Sequence, residues 1–237
     1  MAKTPDSNLV RTGETADRVF ERLIEGILSG AFPGGHRLRE SRLATQWSVS
    51  RTPLREAVRR AAEAGFVVLR PNQAPVVRLL TQDDVTALYG LRAVLEGYAL
   101  ELAWPQRRHM GLELLQLLAR RAAPEASRTW RQSCLDFDRA LHATWSEHCG
   151  NAWLQTDLNR QHQFLRIFQR WIGRDEAALR VAYAEHQDIL EALVSGTRQA
   201  ALTALRHHIQ TSAEAVVRVL SARSAQFPRQ TGFSEPI

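Results

Sequence analysis

Residues 38–68 constrain this chain more than any other stretch: they read as two short helices meeting at a tight turn, the second opening with arginines on its exposed side. The run from Ser41 to Trp47 carries Leu43, Ala44 and Trp47 at helical spacing, and Ser48-Val49-Ser50 breaks it. The pattern predicts a second helix with Thr52 as its N-cap and Pro53 at its first position, where the missing N–H costs nothing. Leu54, Ala57, Val58 and Ala61 form its apolar stripe, while Arg51, Arg55 and Arg59 fall on or near the opposite side. An arginine fork can grip a guanine edge or a phosphate, and a helix N-terminus attracts phosphate as well. Such a helix suits the major groove of DNA. Downstream, Phe66 to Leu69 and Val76-Val77 are β-prone runs flanking the turn-forming residues 70–75, which predicts a β-wing. A charged helix face is usually only solvated; here turn, cap, arginine spacing and wing agree.

Charge is distributed accordingly. Residues 1–80 hold 13 of the 31 basic residues but only 8 of the 25 acidic ones, so nearly all of the net +6 sits on the segment expected to meet phosphates. Lys3 is the only lysine. No run approaches the ~18 apolar residues of a membrane span, and no secretory signal is visible at the N-terminus. With Cys134 and Cys149 alone, no disulfide framework is implied, and the expected compartment is the reducing cytoplasm.

The fold expected is mainly α: a winged helix-turn-helix at residues 15–78 and an all-α bundle of six helices at residues 79–223, between flexible tails at 1–14 and 224–237. A first helix at about 16–29 precedes the helix-turn-helix. The bundle helices are expected at about 82–103, 107–122, 125–149, 151–172, 175–195 and 198–222, with breaks at Pro105, Pro124, Gly150, Gly173 and Gly196.

One constellation in the bundle carries chemistry. Asp138 and His142 stand four apart, stacked on one helix face. His186 lies on an apolar stripe with Leu179, Ile189, Leu190 and Leu193. His208 shares a face with Leu205 and Ile209, whereas His207 points about 100° away. Three inward histidines and an aspartate suit Zn, Ni, Mn or Fe and leave coordination positions for water or a carboxylate. Each taken alone has a plainer reading, since a helical His is usually a hydrogen-bonded core or surface residue. His162 is the candidate substitute ligand from the helix at 151–172.

These motifs also carry a family resemblance. Residues 16–78 resemble the winged helix-turn-helix of the GntR family of bacterial transcription regulators, through Ile27-x-x-Gly30, Gly35-x-x-Leu38-x-Glu40, Leu43-Ala44 and the run from Val49 to Ala57. Residues 81–222 resemble the FCD ligand-binding domain of the FadR-type subfamily, six helices suggesting its shorter VanR-like branch. The landmarks are Leu88-Tyr89, Arg92 with Glu96, Asp138-x-x-x-His142, Gly150-Asn151, Glu185-His186 and Arg206-x-His208. The resemblance implies that Asp138, His142, His186 and His208 bind a divalent metal, zinc first, with nickel or manganese as alternatives. It implies that Arg51 and Arg55 reach bases, with Ser50 and Thr52 nearer the backbone. Ala74 replaces the family's wing-tip glycine, and Gly34-Gly35 replaces its Pro-Gly, the proline being displaced to Pro33.

The regulator expected from this is a cytoplasmic homodimer on a palindromic operator, commonly a repressor, controlled by a small organic acid that coordinates the metal. Arg92 is the candidate partner for the acid's charge; its alternative is an i,i+4 salt bridge with Glu96. Two other classes stand beside this one: an all-α metalloenzyme using the same ligands to activate water, and a constitutive DNA-binding dimer without an effector.

Overall fold

The structure, a computed structural model, describes residues 15–79, 81–124, 128–172 and 175–226. The expected N-terminal tail at 1–14, and all but the first residues of the tail at 224–237, lie outside the described residues. The chain falls into two compact units that divide at residue 80.

In the first unit, α1 (Ala16–Leu28) buries Val19, Leu23, Ile24 and Ile27. Gly30, with φ 77°, turns the chain behind it. Then come α2 (Glu40–Trp47) and α3 (Arg51–Glu63), joined by a turn in which Ser48 takes φ 55° and caps α2 through its backbone N–H. α3 packs against both earlier helices and buries Leu54, Ala57, Val58 and Ala61, the stripe expected from the sequence. The cap expected at Thr52 is displaced. Ser50 is the N-cap, in extended conformation, and contributes no side-chain hydrogen bond. Pro53 is therefore the third helical residue rather than the first. It is still tolerated, because the first-turn N–H groups have no partner within the helix.

The wing is β1 (Val67–Val68) paired antiparallel with β2 (Val76–Val77), in register Val67 with Val77 and Val68 with Val76. Arg37 adds a bridge to Val76 on the other edge. Gln73 N–H donates to Arg70 O at 3.2 Å across the turn. Pro71 then stands second and Asn72, with φ 57°, third, the pairing a type II turn requires. Asn72 supplies the left-handed residue here, so Ala74 need not take the role of a wing-tip glycine.

The second unit is helical, among the described residues. α4 (Gln82–Ala103) opens with a capping box in which Asp84 N–H donates to Thr81 Oγ1 at 3.1 Å and Thr81 N–H donates to Asp84 Oδ2 at 2.9 Å. The helix expected from 107 starts later. Pro105 opens a 3-10 segment over Trp104–His109, Gly111 at φ 67° resets the chain, and α5 spans Leu112–Ala122. α6 (Trp130–His148), α7 (Ala152–Ile172), α8 (Glu176–Val194) and α9 (Arg198–Gln226) follow. Asp175 caps α8, accepting from Ala177 N–H at 3.0 Å. α9 runs past the point where the tail was expected to begin. Among the described residues, no helix is long and apolar enough to cross a membrane. α4 packs on α6, α6 on α8, α8 on α9 and α9 on α4, so these four helices close a ring around a shared interior.

Leu54 is fully buried where α3 meets its neighbours. Leu54→Ala is expected to destabilise the first unit by about 2–5 kcal/mol. Urea unfolding followed by circular dichroism tests this, and a loss below about 1 kcal/mol would show that α3 does not anchor that core.

Candidate metal centre and candidate nucleic-acid interface

Four of the residues singled out by sequence meet inside the helical ring. Asp138 and His142 come from α6, His186 from α8 and His208 from α9, all buried, with one ligand atom from each lying within 4.8 Å of the others. His186 Nε2 is 3.0 Å from His208 Nε2 and 3.5 Å from Asp138 Oδ2. The three imidazole centroids lie 4.2–5.4 Å apart. Two nitrogens each held about 2.0–2.1 Å from one zinc ion would stand about 3 Å apart, so the donor spacing fits.

Protonation fits too. Burial lowers the pKa of all three histidines, most strongly at His186 and His208, where neighbouring positive or protonatable groups add to the effect. Neutral imidazoles keep the lone pairs a metal needs. Two of the rings are oriented from outside the cluster. His208 Nδ1 donates to Glu185 Oε2 at 2.9 Å, which turns its Nε2 inward, and His142 Nδ1 donates to Glu96 Oε2 at 2.5 Å. His186 differs: its Nδ1 is buried with no hydrogen-bond partner among the described residues, and its ring stands edge-on to Phe137 at 5.9 Å. Cys134, one turn before Asp138, lies outside the group whose donor atoms converge, and burial and then Asp138 push its thiol up to about 12.

Glu96 was legible in the sequence only as a salt-bridge partner of Arg92, and the structure gives it a larger part. Its fully buried carboxylate accepts from Arg92 Nε at 2.6 Å, His142 Nδ1 at 2.5 Å, Trp145 Nε1 at 3.1 Å and His162 Nε2 at 3.2 Å. Burial alone would raise its pKa; Arg92, His142 and the hydrogen bonds outweigh that and hold it well below the usual carboxylate value. Arg92 Nη2 also lies 3.2 Å from both ring nitrogens of His142. The salt bridge given as the alternative reading of Arg92 is present, and the same guanidinium lies against His142. His162, expected as a substitute ligand, forms a second possible metal-holding group with Glu96 and His142. His207 is largely exposed, 3.7 Å from Glu185 Oε1, as its position in the helix predicts.

On the first unit, Ser50, Arg51, Thr52, Arg55 and Arg59 are all exposed along the N-terminal part of α3. Arg51 and Arg55 line a groove with Arg39, Glu40 and the wing residues Gln73 and Ala74. Arg59 is engaged differently, with Nε and Nη2 donating to Glu56 and Nη1 to Glu63, both on its own helix. Its fork is already occupied. The contact of Arg55 with Glu40, across the turn between the two helices, had no local sequence signal.

Comparison with known proteins agrees with this architecture. The profile described as "Bacterial regulatory proteins, gntR family" matches residues 15–77, and that of the FCD domain matches residues 87–211. The Nta operon transcriptional regulator of Aminobacter aminovorans is 29% identical over 191 residues, covering 80% of this chain and 88% of that protein. A probable D-xylose utilization operon transcriptional repressor of Paenarthrobacter nicotinovorans is 29% identical over 211 residues, covering 85% and 88%. The gluconate operon transcriptional repressor of Bacillus licheniformis is 36% identical over 87 residues, 37% of this chain and 35% of that one. In fold, the chain resembles E. coli McbR/YncC, with a TM-score of 0.60, 21% identity and coverage of 88% of this chain and 98% of that one.

Three imidazoles held neutral by burial make stability depend on pH. Their folded pKa values lie below the ordinary histidine value of 6.5, so beneath that pH the unfolded chain binds more protons than the folded one. Metal-free protein is expected to lose stability as pH falls from 6.5, by up to about 1.4 kcal/mol per pH unit for each imidazole. Urea midpoints that stay level between about pH 7 and pH 5.5 would contradict the buried, neutral assignment.

Proposed function

The chain belongs to the gntR family of bacterial DNA-binding transcriptional regulators, in the branch that carries an FCD domain, and from that premise we propose that it is a cytoplasmic repressor whose operator affinity is set by a small carboxylate bound at a metal site. The relatives are transcriptional regulators and not enzymes, which removes the metalloenzyme reading. The observation that carries the proposal is the convergence of Asp138, His142, His186 and His208 inside the ring of helices. Those four residues would hold the ion, zinc first and nickel or manganese next, and the ion would supply an electrostatic anchor for a carboxylate. Arg92 brings a buried positive charge to the same interior, held in place by Glu96. A divalent ion bound there would, with Arg92, outweigh the negative charges of Glu96 and Asp138, and an anion would offset the excess, which favours an acid as effector. Repression is favoured by two of the relatives, each named as the repressor of a sugar or gluconate operon.

The DNA side of the proposal assigns base reading to Arg51 and Arg55 and backbone contacts to Ser50 and Thr52. Arg59, already clamped by Glu56 and Glu63, keeps at most a phosphate contact. A homodimer on a palindromic site is supported by Leu91, Val94 and Tyr98, large apolar side chains at least half exposed along one face of α4. The effector acts by favouring one arrangement of the dimer over another, so its leverage equals its difference in affinity for the two.

Elemental analysis of untagged protein purified without chelator is expected to find about one divalent metal per chain, lost in His186→Ala with helical content retained. Full metal in that variant would remove His186 from the ligand set, and no metal even after supplementation would leave a DNA-binding dimer without this effector site. Separately, Arg55→Ala is expected to weaken binding to a duplex selected by the wild-type protein by about 1–3 kcal/mol and to relax base choice at one position. Unchanged affinity and base choice would sink the assignment of α3 as the reading helix.

A further inference from the structure

Glu40 is an acidic residue on the surface proposed to face phosphates. It is the first residue of α2, it lines the groove shared by Arg51, Arg55, Gln73 and Ala74, and its Oε2 accepts from Arg55 Nε at 3.1 Å. Placed among phosphates, a carboxylate costs affinity by repulsion, so a role there must come from what it holds. Arg55 and Arg59 make the contrast clear. Arg59 has donors on Nε, Nη1 and Nη2 all taken by carboxylates of its own helix. Arg55 is held at Nε alone among the described contacts, by a carboxylate from the neighbouring helix, and its side chain is 68% exposed.

A carboxylate on Nε fixes the plane of a guanidinium and blocks its side edge. What remains is the end edge, Nη1 and Nη2, the pair of parallel donors that matches O6 and N7 of guanine. We propose that Glu40 is a positioning residue for DNA reading: it orients Arg55 so that the terminal edge of the guanidinium meets a base, and thereby raises specificity rather than affinity. This rests on the reading of α3 as the recognition helix. It deepens that reading by assigning to α2 a share in base choice without contact to any base. An unpaired Arg55 would sweep through rotamers and find phosphates as readily as bases; the paired one presents a single edge at little entropic cost.

The test uses the full-length wild-type protein to select a duplex from a random-sequence pool, then measures Kd for that duplex and for a shuffled one of the same composition, at one salt concentration. Glu40→Ala is expected to lower the selected-to-shuffled affinity ratio about tenfold while affinity for the shuffled duplex holds or rises. Glu40→Asp keeps the charge and shortens the reach, so it too is expected to lower the ratio. In an Arg55→Ala background, Glu40→Ala is expected to change the ratio no further. Equal gains in affinity for both duplexes with Glu40→Ala, together with wild-type behaviour of Glu40→Asp, would overturn the proposal and leave Glu40 a simple repulsive charge. A fall in the ratio that persists in the Arg55→Ala background would also overturn it, because Glu40 would then act elsewhere. Arg55→Ala with an intact ratio is a separate failure, that of the recognition-helix reading. Should Glu40→Ala fail to fold by circular dichroism, the charge-preserving Glu40→Asp, alone and with Arg55→Ala, decides the matter.

Discussion

A buried carboxylate must be surrounded by donors, and that requirement organises the helical unit. Glu96 has no exposed surface and is met by Arg92 from its own helix, by His142 and Trp145 from α6 and by His162 from α7. Removing such a charge from water costs several kcal/mol unless its lone pairs are filled, so the three helices are held in a register that delivers those donors. The bond to His142 reaches furthest. By taking the proton-bearing Nδ1, Glu96 fixes the ring that faces Asp138, His186 and His208, and so the candidate metal cluster inherits part of its geometry from a residue outside it.

The two units treat charge in opposite ways. In the interior of the helical unit a small group of ionisable side chains is buried and closely paired, the three histidines held neutral by burial and Glu96 held charged by Arg92 and His142. In the winged unit the ionisable groups are mostly arginines and largely exposed, and Arg39, Arg51 and Arg55 line one groove. Glu56, Glu63 and Glu40 then decide which arginines are spent on internal pairs and which keep donors for a partner. A count of positive charges along α3 would weigh Arg55 and Arg59 alike. The pattern of carboxylates separates them.

Much of this was legible in the chain because it is local. Asp138 and His142 are one helical turn apart, and the apolar stripes around His186 and His208 say which way those side chains point. The breaks at Pro105, Gly150 and Gly196 delimit helices within a few residues. What stayed hidden depends on packing. Nothing within α4 indicates that Glu96 accepts from residues 46, 49 and 66 positions away, nor does α2 announce that Glu40 reaches Arg55 across a turn. The misplaced cap at Thr52 has another cause. Ser50 and Thr52 are both residues that cap helices, and with neither side chain bonding the backbone the choice falls to backbone dihedrals that the sequence does not display.

The closed ring of α4, α6, α8 and α9 has a kinetic consequence. Its inner side chains have almost no exposed surface, and His162, at 17%, is the member of the cluster most open to water. A ligand sealed in this way would leave and enter at the rate at which helices part rather than the rate at which solutes diffuse, because local opening would be the slow step. Such an interior would behave as a memory: the occupancy of any ligand it took up would reflect the conditions of an earlier interval, smoothed over the lifetime of the closed state.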